Sequence, residues 1–224
     1  MGSVAMAIDL MLELPVLAGP APGPVATALP VMEQFYTIQG EGFNTGRAAY
    51  FIRLGGCDVG CVWCDVKESW DADAHPRQAV ADLVAAVLAH PGRNVVITGG
   101  EPLMHDCGPL TAALQAAGCQ TWIETSGAHP LSGHWDWVCV SPKKFKAPRP
   151  EVLAAANELK VVVFNESDFA WAESHAALVP PTARLYLQPE WSRAARITPA
   201  IIDYAKAHPC WQVSLQTHKY LDIP

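Results

Sequence analysis

No apolar run in this chain of 224 residues approaches the roughly 20 needed to span a bilayer, so no membrane span is expected. Basic residues are in the minority, 15 Lys and Arg against 22 Asp and Glu. The net charge of −7 gives nucleic-acid phosphates and anionic membrane surfaces no long-range attraction, so neither is expected as a partner. The opening MGSVAMAIDLMLELPVLAG lacks a basic n-region and carries Asp9 and Glu13, which argues against a cleaved signal; the protein is read as cytoplasmic. A disulfide framework is lacking too. The seven cysteines are odd in number, three of them crowd into positions 57 to 64, and Cys107, Cys119, Cys139 and Cys210 are scattered in apolar contexts that suit small core residues.

What is present is a chain 50% apolar and 17% charged, the balance of a folded globular protein rather than a disordered one. Its length suits one domain with one substantial core. Residues 1–30 are rich in Ala, Pro, Gly and Val without helical or strand period, and are read as a disordered N-terminal extension. Residues 31–224 are read as the folded domain.

Within that domain β-rich runs alternate with helical patterns. Strands are expected at 50–54, 95–98, 121–124, 137–140, 159–163, 185–187 and 211–215, most of them too continuously apolar to have a wet face. Helices are expected at 76–90, 109–117, 151–158, 168–178 and 199–208, with Pro76 in a first turn and Gly118 as a stop. Strand, helix, strand in this order means parallel βαβ units and an α/β fold. The roughly 190 residues available fall short of a closed eight-unit barrel, and a partial, open (β/α) barrel of about six parallel strands fits better. Active sites of such folds gather where the strands end.

After the first of these strands comes Gly55-Gly56-Cys57-Asp58-Val59-Gly60-Cys61-Val62-Trp63-Cys64, a C-x3-C-x2-C loop. Three thiolates on one tight loop can converge on a soft metal centre, and a four-iron cube held at three corners keeps one iron open. A zinc site with His75 or Asp65 as fourth ligand, and a dithiol pair at Cys61 and Cys64, are the alternatives on the loop alone. Further on, Thr98-Gly99-Gly100-Glu101-Pro102 ends one strand; its glycines let backbone approach a ligand and its carboxylate can accept from an ammonium. Glu124-Thr125-Ser126-Gly127 and Ser141-Pro142-Lys143-Lys144 end the next two.

The cysteine loop resembles the signature of the radical S-adenosylmethionine superfamily, and Gly99 to Pro102 looks like its GGEP motif. The resemblance implies a 4Fe-4S cluster on Cys57, Cys61 and Cys64, an open iron chelated by S-adenosyl-L-methionine, and a 5′-deoxyadenosyl radical released when an electron cleaves the sulfonium. Tyr36 to Gly42 (YTIQGEG), Gly46-Arg47, Arg53, Trp63-Cys64-Asp65, Ser141 to Lys143, Leu187 to Pro189 and Ser214 to Leu221 (SLQTHKYL) narrow the likeness. Together they are similar to the 7-carboxy-7-deazaguanine synthase family over residues 32 to 224.

That similarity implies conversion of 6-carboxy-5,6,7,8-tetrahydropterin to 7-carboxy-7-deazaguanine with loss of ammonia, toward queuosine and other 7-deazapurines. It implies a homodimer and an external electron donor such as flavodoxin. No side chain is the implied catalytic group, because the reactive species is the radical. Ile38, Gln39, Gly40, Glu41, Arg53, Thr98 and His218 are the implied substrate contacts, with the carboxylate of Pro224 on the pterin amine and amide donors. Trp63, Gly99, Gly100, Glu101, Ser126, Ser141, Pro142, Lys143, Gln188, Pro189, Glu190 and Trp191 are the implied S-adenosylmethionine contacts. Lys144 is read as solvated, and Arg53 and His218 have ordinary structural readings as an ion-paired strand end and a packed or exposed histidine.

One position departs from the family. Members usually carry Thr or Ser after the Cys-Asp pair as an oxygen ligand to Mg2+, whereas Val66 has none to give, so Mg2+ dependence is expected to be weak or absent. A radical activase acting on a glycine of a partner protein, and a zinc-stabilised binding module, are the competing functions.

Overall fold

The computed structural model describes residues 28–224. They form a nine-stranded sheet with the order β3-β1-β2-β4-β5-β6-β7-β8-β9. The strands are β1 (Ala28–Ile38), β2 (Ala48–Leu54), β3 (Arg77–Ala79), β4 (Asn94–Gly99), β5 (Gln120–Thr125), β6 (Trp137–Val140), β7 (Glu158–Val163), β8 (Arg184–Pro189) and β9 (Trp211–Val213). From β2 and β4 onward the pairing is parallel to β9, and β1 pairs antiparallel with both β2 and β3. The helices are α1 (Val80–Leu88), α2 (Gly108–Ala116), α3 (Pro150–Ala154), α4 (Ser167–Ala176), α5 (Ala194–Ala207) and α6 (Thr217–Leu221). This is the open, mostly parallel (β/α) architecture anticipated from the strand spacing, and no helix among the described residues is long and apolar enough to cross a membrane.

Side-chain parity along the strands separates core from cavity. Ile52, Leu54, Val95 and Ile97 pack with Leu83, Val87, Leu110 and Leu114 of α1 and α2. Ile123, Leu159, Val161 and Leu187 pack with Val152, Phe169, Ala172 and Ile201 of α3, α4 and α5. The residues between them, Phe51, Arg53, Thr98, Glu124, Lys160 and Val162, face a cavity instead. The continuous apolar reading of the strands is corrected on that face, where Glu124 and Lys160 interrupt it.

Several boundaries differ from expectation: the strand β1 was not anticipated, and the helix read at 151–158 ends at Ala154, with Glu158 opening β7. β1 begins at Ala28 and pairs Ala28, Leu29 and Pro30 with Ala79, Gln78 and Arg77. The extension read over 1–30 thus loses its last three residues to the sheet, and residues 77–79 leave the helix read at 76–90. Both were hidden because the pairing of β1 with β3 covers only three residues on each strand. Residues 1–27, the rest of that extension, lie outside the described residues. α5 starts before its Pro199, which stands inside the helix rather than at its first turn. Gly118 follows α2 with φ of +78°, where only glycine is unstrained, as a helix stop requires. Cys107, Cys119 and Cys139 are buried, but Cys210 is exposed and does not serve the core.

Candidate active site

The cysteine loop leaves the end of β2 held by its backbone. Gly55 N donates to Pro30 O at 3.0 Å, Gly56 N to Ser69 O at 2.7 Å and Cys57 N to Trp70 O at 3.0 Å. The turn after β4 lies directly against it, Gly100 N donating to Leu54 O at 3.0 Å and Glu101 N to Gly56 O at 2.8 Å. A Cβ on Gly100 would meet Gly56 O at 2.3 Å and Cys57 Cβ at 2.7 Å, so close backbone approach demands glycine there. Cys57, Cys61 and Cys64 pack together with Val59 and Ala128. Burial pushes the Cys57 thiol up and the Cys61 thiol up to about 11, so both are neutral until a bound cation draws their protons out. Among the described residues no three His, Cys, Asp or Glu side chains converge on a single metal ion. The soft donor set of three cysteines on one loop fits a four-iron cube held at three corners.

All three thiols open onto one cavity of about 510 Å³, within the range of small-molecule sites. Across from them lies a polar floor. Lys160 Nζ donates to Glu41 Oε2 at 2.6 Å and to Glu124 Oε2 at 2.8 Å. Gln216 Nε2 donates to Glu41 Oε1 at 2.9 Å, and Gln39 Nε2 to Glu124 Oε1 at 3.2 Å. Burial pushes the Glu41 carboxyl up, but the charge and hydrogen bond of Lys160 outweigh it and hold the group down at about 2. Gly40 carries the floor to α6: its carbonyl accepts from Thr217 N and Thr217 Oγ1, both at 2.9 Å. A Cβ there would come within 2.3 Å of His218 Nδ1.

Residues 51–162 match the family model of the Radical SAM superfamily. Over 196 residues the chain is 56% identical to the 7-carboxy-7-deazaguanine synthase of Flavobacterium psychrophilum, covering 88% of this chain and 93% of that one. The synthase of the same name from Synechocystis is 47% identical over 92% of this chain and 98% of its own. The chain belongs to the 7-carboxy-7-deazaguanine synthase family. The crystal structure of QueE from Escherichia coli superposes with a TM-score of 0.76 at 36% identity, covering 84% of this chain and 93% of that one. This radical S-adenosylmethionine enzyme therefore has both the fold and the cofactor loop that its cysteine spacing suggested.

Most of the residues anticipated from the sequence reach the cavity wall of this family member. Ile38, Gln39, Gly40, Glu41, Arg53, Thr98, His218 and Pro224 line it, as do Trp63, Gly99, Gly100, Ser126, Ser141, Lys143, Gln188, Pro189, Glu190 and Trp191. Glu101 and Pro142 do not. Glu101 is 1% exposed, and its oxygens accept from Leu103 N at 3.0 Å, Thr125 Oγ1 at 2.6 Å, Ser126 N at 2.8 Å and Ser126 Oγ. These four protein donors occupy its oxygens, and it pins the Ser126 turn. Pro142 borders a separate pocket of about 190 Å³ behind Trp63.

Arg53 combines both of its readings, lining the cavity while its Nε donates to Glu33 Oε1 at 2.6 Å. Lys144 is not merely solvated, since it is paired with the buried Asp168. Lys160 and Gln216 escaped the sequence reading as site residues, and Glu124 was seen only as a strand-end polar group. A lone lysine in the otherwise apolar run LKVVV was the available signal for the first. Val66 does line the cavity, next to Asp65, which Lys219 holds at 3.1 Å.

Proposed function

We propose that this enzyme converts 6-carboxy-5,6,7,8-tetrahydropterin to 7-carboxy-7-deazaguanine with loss of ammonia. The observation that carries the reading is one cavity lined both by three thiols and by a floor of carboxylates joined through Lys160. When bound, the cluster and S-adenosylmethionine supply the radical chemistry. The chain's own residues bind, orient and exclude water. Gly99 and Gly100 let a cofactor lie against backbone, and Ser126, Ser141, Lys143 and the run Gln188 to Trp191 wall it in. Lys143 donates to Ser141 O and Ser141 Oγ, both at 2.6 Å, which fixes its ammonium at the cavity edge.

Arg53 keeps its Nη groups for a substrate carboxylate, because only its Nε is taken by Glu33. Glu41, Glu124 and Pro224 offer acceptors to the amine and amide of the pterin, and Ile38 to Gly40 flank its edge. A pocket of this size favours a small heterocycle over a loop of a partner protein. Val66 offers Mg2+ no side-chain oxygen, and its carbonyl oxygen accepts from Ser69 N and Ser69 Oγ, so the reaction tolerates rigorous Mg2+ removal. We place the enzyme in the cytoplasm, as a homodimer served by an external reductant such as flavodoxin.

The test is anaerobic reconstitution with iron and sulfide, reduction, and product analysis from the carboxylated tetrahydropterin with S-adenosylmethionine. Formation of 7-carboxy-7-deazaguanine is the expected result; a cluster-loaded protein that leaves the pterin unchanged defeats the reading.

A further inference from the structure

Lys160 stands on β7 with a side chain 4% exposed. A buried ammonium is costly to desolvate, and here two carboxylates from different segments offset it. Glu41 arrives on the loop after β1 and Glu124 on β5; each gives one oxygen to Lys160 and the other to a side-chain amide. A carboxylate has about four acceptor positions, so both acids retain capacity beyond these bonds, and both line the cavity.

We propose that Lys160 is a positioning residue for the substrate: its ammonium holds one oxygen each of Glu41 and Glu124 side by side, so that both acids face the cavity as acceptors for the N–H edge of a flat heterocycle. This rests on the pterin reading above, whose amine and amide groups are the donors required. Without the ammonium, two carboxylates share a buried site, and like charges force one of them to take a proton. A protonated acid turns an acceptor into a donor, which then opposes the substrate's own N–H groups.

The charged and titratable groups facing Lys160 are Glu41, Glu124, Cys139 on β6, Glu158 on β7, Lys143 after β6 and His218 on α6. Burial keeps Cys139 a neutral thiol. Lys143 bonds to Ser141 rather than to either acid. Among the described residues, Lys160 is the cation hydrogen-bonded to both acids.

The probe is 6-carboxypterin, an oxidised analogue that does not turn over, titrated calorimetrically in two buffers of different ionisation enthalpy. In Lys160→Met the affinity at pH 7 falls by about 10- to 100-fold, the range for a lost charge-assisted contact. Binding to the variant also releases about one more proton than binding to the parent protein, and its affinity recovers as pH rises. The double variant Lys160→Met with Glu124→Gln loses the extra proton release and regains part of the affinity. Lys160→Gln, which keeps a donor but not the charge, carries the same test if the methionine variant does not fold. A folded neutral variant that binds without extra proton release, at an affinity independent of pH, overturns the proposal. So does failure of every neutral variant to fold, which makes Lys160 a structural ion. A parent protein that does not bind 6-carboxypterin at all overturns the substrate reading instead.

Discussion

The wall that carries Cys57, Cys61 and Cys64 is a single loop fastened by main-chain hydrogen bonds, whereas the floor that carries Glu41, Glu124 and Lys160 is gathered from β7, β5 and the loop after β1. The loop contributes little to the two large cores, which lie between the sheet and its helices. The floor stands on the cavity side of the sheet itself, one residue away from core positions such as Ile123, Leu159 and Val161. Damage to the first wall is therefore expected to remove chemistry while sparing the fold, and damage to the floor to disturb binding and stability together.

The sharpest contrast comes from replacing any one of Cys57, Cys61 and Cys64 by Ala. Product formation is abolished and bound iron falls, while circular dichroism and melting temperature of the apoprotein stay near those of the parent. A large loss of melting temperature would show that the loop is structural and break the comparison.

Next come two glycines, one from each side. Gly100→Ala puts a methyl against Gly56 O and Cys57 Cβ, so iron retention drops, with a stability loss of about 1–3 kcal/mol read by denaturant titration. Gly40→Ala strikes His218 instead, and is expected to weaken pterin binding while iron per chain is unchanged. Iron loss in the second variant would merge the two walls into one unit.

A pH effect beside the floor, at Glu158 two residues before Lys160 on β7, is of smaller scale. Burial raises the Glu158 carboxyl from its ordinary 4.5 to about 7, with Oε1 unpartnered and Oε2 accepting from Trp137 Nε1 at 2.9 Å. A raised carboxyl favours the fold fully below pH 4.5, and that contribution drains away as pH climbs through 7. The loss is about 3 kcal/mol in all. Glu158→Gln, a mimic of the protonated form, is thus expected to match the parent in stability at pH 5 and exceed it at pH 8. Equal stability of the two proteins at both pH values would contradict the burial account.

The smallest effect belongs to Lys144→Ala. Asp168 still accepts from Phe164 N at 2.7 Å and Asn165 N at 3.0 Å, and Lys144 is 45% exposed, so solvent screening limits the loss to about 1 kcal/mol or less by thermal denaturation.

The difference between the walls is also a difference in legibility. Cys57, Cys61 and Cys64 fall within one short run because a loop must bring its ligands together over few bonds, and Gly99-Gly100 announce their backbone approach in the same local way. Lys160, Glu124 and Gln216 are far apart along the chain and meet only when the strands take their places. The burial of Glu101 was hidden for the same reason: the donors that hold it, Thr125 and Ser126, come from the end of the next strand. Residues 28–30 and 77–79 were misassigned because a three-residue pairing carries too few alternations to show a period.

The sequence by itself determined the parallel βαβ order, the cysteine loop and its soft-metal chemistry, since these depend on periods and spacings that act over a few residues. Only the tertiary structure decided which polar side chains share the cavity, which acids are already spent on protein donors, and that one lysine joins two carboxylates. Burial and hydrogen-bond partners are properties of neighbours in space, and the chain order leaves those neighbours open.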